Sequence, residues 1–211
     1  MNVLQKVICI IIIISFLFSI NPHKVFSKEQ RLYDYVLVEG KDLEVYKTNY
    51  KNIDIIYSSK EQYLIEGLKK YLDILPNCIT KNIKEIVLIP YSNNLNIAGS
   101  TKDGKITLYN FKKYQSITKE NIIYHEATHT WAKSFIENKN FNDFYGTYKE
   151  YVDNDNNYVS NYSKEFSNNN NGKLSEDFAD AVAFYLIDNE SFKEKFPNRT
   201  IFINGLLNTY N

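Results

Sequence analysis

The chain has 211 residues, 44% of them apolar, and carries 25 basic and 25 acidic side chains. That length suits one domain with a sizeable core, and a net charge of zero supplies no basic field for nucleic acid or an anionic membrane surface. Two cysteines, Cys9 and Cys78, exclude a disulfide framework.

Residues 1–27 read as a leader. Lys6 precedes the apolar run Val7–Ile20, and Asn21-Pro22-His23 and Val25-Phe26-Ser27 follow, the layout of a secretory signal cut near Ser27-Lys28. The run has 14 residues, short of the roughly 20 that a membrane-spanning helix needs; an uncleaved N-terminal anchor is the alternative. Cleavage removes Lys6 and Lys24, leaves a net charge of −2, and leaves Cys78 as the one cysteine of a domain spanning 28–211. A buried, unreactive thiol is the expectation for Cys78.

Tyr35–Val38 and Ile53–Tyr57 read as strands, and Ser58-Ser59-Lys60-Glu61 is a capping-box pattern. Leu64, Leu68, Tyr71 or Leu72, and Leu75 then recur at helical spacing until Pro76 ends the helix. Glu85–Ile89 reads as a buried strand. Thr101–Leu108 reads as a hairpin, turned by Asp103-Gly104. A helix capped by Ser116 or Thr118 begins near Lys119 and runs to Lys139 without Pro or Gly. Residues 138–173, rich in Asn, Asp, Tyr and Lys, read as irregular surface structure with a flexible tip at Asn168–Gly172. A last helix takes Ser175 as N-cap and runs from Glu176 to Ile187, and a tail from Phe192 to Leu207 packs back. These elements predict an α+β fold with a small sheet.

The second long helix contains His125-Glu126-Ala127-Thr128-His129. Two histidines four apart lie on one helical face and can share one tetrahedral ion, and the intervening glutamate can act as base on a water there. Ile122, Ala132 and Ile136 share that face, so the polar groups sit on a buried stripe and need a partner such as a metal. A catalytic zinc takes three protein ligands. The third histidine of the chain, His23, lies in the leader, position 135 is Phe, and Cys78 lies upstream at the wrong spacing. A carboxylate on a later helix is therefore expected. Glu176, in Glu176-Asp177-Phe178-Ala179-Asp180, is the leading candidate, ahead of Glu150 and Glu165. Asp180, four residues on, can accept the second N–H of a ligating histidine, His125.

HEATH, followed by SNYSKEF and EDFADAVAFYL, resembles the anthrax lethal factor-like zinc peptidases, with the secreted Pro-Pro endopeptidases closest in size and layout. The resemblance runs from about Ile83 to Ile187 and is stronger after the HEATH helix. It implies a zincin-like domain with one Zn²⁺ held by His125, His129 and Glu176, with Glu126 as general base. It also implies a tyrosine that stabilises the oxyanion and a strand, Gly99-Ser100-Thr101, along the substrate backbone. The family tyrosine stands about seven residues before the glutamate ligand, where this chain has Asn169. Tyr162 matches the local wording but precedes Glu176 by 14 residues, as an inserted Asn-rich loop would produce; Tyr158 is the alternative. The implied protein is a secreted, monomeric zinc metalloendopeptidase acting on protein or peptide, without nucleic acid or lasting membrane association. A toxin subunit delivered by a partner and a catalytically silent zinc-binding protein are the other readings.

Overall fold

The computed structural model describes residues 44–90, 97–136, 141–165 and 170–210, all within one compact unit, Leu43–Asn211. The expected leader, the strand at Tyr35–Val38 and the tip residues Asn168 and Asn169 lie outside the described residues. The fold is α+β, with one mixed five-stranded sheet.

Strands β1 (Val45–Tyr50), β2 (Ile53–Ser58), β3 (Glu85–Ile89), β4 (Gly99–Lys102) and β5 (Lys105–Tyr109) lie in the order β1-β2-β3-β5-β4. β2, β3 and β5 are parallel to one another, while β1 and β4 are antiparallel additions at the two edges. The register sets Ile55, Ile86 and Ile106 side by side and Leu88 beside Leu108. These fully buried side chains meet Leu68 and Leu72 of α1 (Ile65–Ile74) and Ile123, Ala127 and Trp131 of α3 (Ser116–Ile136) in one core. The expected hairpin is present: Asp103 and Gly104 have φ of 54° and 82°, the paired left-handed conformation of a two-residue turn.

Ser58 precedes a 3-10 turn, Ser59–Leu64, before α1 begins. The capping box forms only in part: Glu61 reaches back to accept from the Ser58 hydroxyl, 3.2 Å away, while the Ser58 side chain caps no backbone N–H. Cys78 lies fully buried in the short helix α2 (Asn77–Thr80).

Three expectations are corrected. α3 begins at Ser116, not Lys119: the Lys119 N–H already bonds the Gln115 carbonyl at 2.9 Å, and the Ser116 hydroxyl meets the Tyr71 phenol at 2.8 Å. The described residues of 138–173 are largely helical, in α4 (Phe141–Asn154), α5 (Asn161–Glu165) and the start of α6 (Asn170–Ile187). In α4, Tyr145, Tyr148 and Val152 recur at helical spacing and are all buried, so burial of that stripe overrides the loop-like composition. Ser175 is inside α6 rather than at its N-cap. Starting at Asn170 lets the helix bury Leu174, and the Ser175 hydroxyl accepts from Tyr145 at 3.1 Å. The tail does pack back, as α7 (Asn189–Lys195) and α8 (Pro197–Tyr210), burying Phe192, Arg199 and Ile203.

Candidate metal centre

α3 packs against α6 more extensively than any other pair of helices, and the contact faces a common set of polar side chains. His125 Nε2 lies 3.1 Å from His129 Nε2 and 3.0 Å from Glu176 Oε2, and His129 Nε2 lies 3.5 Å from Glu176 Oε1. Among the described residues this is the one group of three or more His, Cys, Asp or Glu side chains placed to share an ion. Metal–ligand bonds of about 2.0–2.1 Å in a tetrahedron put donor atoms roughly 3.3 Å apart, and the three separations bracket that value. Two imidazoles and one carboxylate could therefore hold a metal ion, in both geometry and donor type.

Asp180, one turn beyond Glu176, supports the cluster from behind. Its Oδ1 lies 2.7 Å from His125 Nδ1, which leaves Nε2 to face the site. Without a metal, burial would push His125 down. The hydrogen bonds to Asp180 and Glu176 outweigh it and hold the imidazole up at about 10. Burial alone would raise Glu176, but hydrogen bonds from His125 and His129 lower it to about 2. Glu176 stands in the second turn of α6, not the first, so its imidazole partners rather than the helix dipole hold it ionised.

Glu126 faces the edge strand. Gly99 and Thr101 of β4 turn inward, whereas Ser100 and Lys102 are exposed. The Thr101 hydroxyl lies 2.6 Å from Glu126 Oε2 and 3.0 Å from its carbonyl oxygen. A Cβ on Gly99 would stand 2.6 Å from Glu126 Oε1, so only glycine lets the strand lie this close. Of the expected substrate strand, then, Thr101 gives its hydroxyl to Glu126, and Ser100 presents its side chain outward, 3.3 Å from the Tyr109 phenol. β4 pairs with β5 alone among the described strands.

Tyr162 lies in α5, half-exposed, with its ring edge-on to His125 at a centroid distance of 6.1 Å. Burial, and then the charges of Glu176, Glu126 and Asp180, push its phenol up, so it is held protonated. Tyr158 instead lines a cleft of about 650 Å³ with Asn157, Phe184 and Phe192. Glu150 and Glu165 are exposed and outside the cluster.

The sequence reading missed three contributions: the Thr101 hydroxyl, Ser160, which donates to Asp180 Oδ2, and buried Arg199 beside Asp177. Ser160 had a local signal, a Ser three residues before Ser163 at a helix start. Arg199 had none.

α3, α6 and the β4 edge together define an α+β protein with a largely buried His-His-Glu group that could hold a metal ion, beside a second, strand-held glutamate. No family model, curated protein or solved structure matches the chain.

Proposed function

We propose that this chain is a zinc metalloendopeptidase of the zincin-like, anthrax lethal factor-like type, secreted and monomeric, acting on protein or peptide. The observation that carries this reading is the convergence of His125, His129 and Glu176 beside the Thr101-held carboxylate of Glu126. A two-histidine, one-glutamate donor set fits zinc, which supplies Lewis acidity to a carbonyl and acidifies a water when bound. A silent binding site has no use for the fourth group, Glu126, whose charge is felt at both His125 and Tyr162.

In this reading each residue has one task. His125, His129 and Glu176 hold the ion, and Asp180 fixes the His125 ring. Glu126 takes a proton from the attacking water and returns it to the leaving amine. The Tyr162 phenol, protonated and beside His125, donates to the oxyanion. The half-paired edge of β4 offers backbone groups to an extended peptide, a mode that fixes direction without selecting side chains. Export, with cleavage near Ser27-Lys28, belongs to the same proposal and rests on the leader pattern. No helix of the described residues is long and apolar enough to cross a membrane.

The test combines metal analysis with cleavage of a randomised peptide library read by mass spectrometry. The chain from Lys28 onward should carry about one zinc, as a three-ligand site implies, and should cleave internal bonds. Glu126→Gln should keep the metal and lose cleavage. An active Glu126→Gln variant, or an active wild type without metal, overturns the proposal.

A further inference from the structure

Two carboxylates one turn apart on α6 reach across to the same short segment, residues 159–163. Asp177 Oδ1 accepts from the Val159 N–H at 2.7 Å and from the Ser163 hydroxyl at 3.4 Å. Asp180 Oδ2 accepts from the Ser160 hydroxyl. The remaining oxygen of each faces elsewhere. Asp177 Oδ2 accepts from the Tyr148 phenol at 2.7 Å and ion-pairs with Arg199 Nε at 3.0 Å. Asp180 Oδ1 meets His125 Nδ1 at 2.7 Å. Asp177 is therefore a structural anchor for the segment, while Asp180 joins the segment to a metal ligand.

Ser160 stands at that junction. A serine hydroxyl has one proton to give and lone pairs to accept with. The proton goes to Asp180, and the oxygen accepts the Ser163 N–H at 3.0 Å, closing the first turn of α5. That turn carries Tyr162, whose ring faces His125. We propose that Ser160 is a positioning residue whose hydroxyl couples the orientation of His125, through Asp180, to the placement of the Tyr162 phenol. Without Ser160, Asp180 Oδ2 loses its donor and α5 loses its cap, so the His125 ring and the Tyr162 ring are both less restrained. The catalytic half of this inference rests on the peptidase reading; the metal half does not.

The experiment compares Ser160→Ala, Ser160→Thr, Tyr162→Phe and the Ser160→Ala/Tyr162→Phe pair. Zinc affinity is read by competition with a chelator of known affinity, kcat and KM on a cleaved peptide, and folding by thermal melts. Ser160→Ala should weaken zinc binding about tenfold, the low end of the effect of losing an outer-shell partner, and should lower kcat with KM little changed. Ser160→Thr, which keeps the hydroxyl, should restore both. Tyr162→Phe should lower kcat alone, and the double variant should lose less than the product of the single losses. Wild-type zinc affinity in Ser160→Ala, or kcat losses that multiply, overturns the coupling. A lower melting temperature with affinity and kcat intact reduces Ser160 to a helix cap and overturns it too. A wild type that binds zinc without cleaving peptide defeats the peptidase reading instead, and the zinc-affinity comparison still decides the link through Asp180.

Discussion

Adding one methyl group at Gly99 tests the placement of Glu126, the proposed general base. A Cβ there would lie 2.6 Å from Glu126 Oε1, 2.7 Å from its Cγ and 2.9 Å from its Cδ. Ordinary contact begins near 3.4 Å, so strand and side chain must separate by about 0.8 Å. Glu126 cannot swing aside freely, because it is buried and Thr101 holds Oε2 at 2.6 Å. Retreat of the strand instead strains its pairing of Gly99 with Leu108. Gly99 has no left-handed φ, so alanine meets only the clash and no backbone strain. A misplacement of about 1 Å at a catalytic group costs roughly a hundredfold in rate. Gly99→Ala should therefore lose on the order of a hundredfold in kcat while keeping its zinc, since the three atoms nearest the new methyl all belong to Glu126 and not to a proposed ligand. Steady-state kinetics on a peptide from the library, with metal content measured on the same sample, checks this. A kcat close to that of wild type, with zinc in place, refutes the assignment of Glu126 as a base held against this strand.

Two further outcomes follow from the same geometry. Tyr162→Phe should lower turnover by about 10²–10³, the loss expected for one oxyanion donor, with metal content unchanged, and Tyr158→Phe should be nearly silent; kinetics showing the reverse order moves the phenol assignment to Tyr158. In the metal-free protein, His125 is raised from 6.5 to about 10, so its contribution to stability is full below about pH 6.5 and lost as pH rises through about 10. Glu176 is lowered from 4.5 to about 2, so its contribution is full above about pH 4.5 and lost as pH falls through about 2. The melting temperature of chelator-treated protein, measured against a His125→Gln variant, should thus show its largest advantage between about pH 4.5 and 6.5; an advantage that grows from pH 7 to 10 contradicts the sign.

The His-His-Glu group was legible because the spacing of its histidines is local. HEATH sets two imidazoles on one helical face, and elimination leaves a carboxylate on a later helix. The Asp103-Gly104 hairpin was legible for a similar reason, since glycine declares a positive φ. The hairpin joining β1 and β2 was not. Its turn residues, Lys51 and Asn52, take φ of 50° and 64°, and Lys51 offers no such signal. The turn is held from outside, by Lys51 Nζ against Asp73 at 2.8 Å and the Leu72 carbonyl at 3.2 Å. α4 was hidden by composition: four of its fourteen residues are Asn or Asp, yet its aromatic stripe is buried against Phe178 and Phe202. Thr101 and Ser160 were hidden because a hydroxyl's role depends on which carboxylate the fold brings to it, 25 and 20 residues away along the chain.

The three acidic residues of EDFAD show why the motif alone does not assign roles. Asp177 is fully buried, and it shares the buried Arg199 with Asp155, at 3.0 and 3.5 Å. Burial pushes its carboxyl up and the Arg199 charge only partly offsets this, which marks an anchor that α8 must complete. Asp180 is buried and Glu176 largely so on the same helix, yet among the described residues neither pairs with a lysine or arginine. Their partners are His125, His129 and Ser160. Adding Glu126, three carboxylates gather around the two imidazoles, and hydrogen bonds to Asp180 and Glu176 hold His125 protonated. Such a cluster carries an excess of negative charge in a poorly solvated place, and a buried ionic group needs a counter-charge to persist. In the proposed reading a dication held by His125, His129 and Glu176 would supply it and displace the His125 proton, so metal affinity should rise with pH. Among the described residues, Arg199 on one side of α6 and the imidazoles on the other thus separate the acid that holds the fold from the acids proposed to hold an ion.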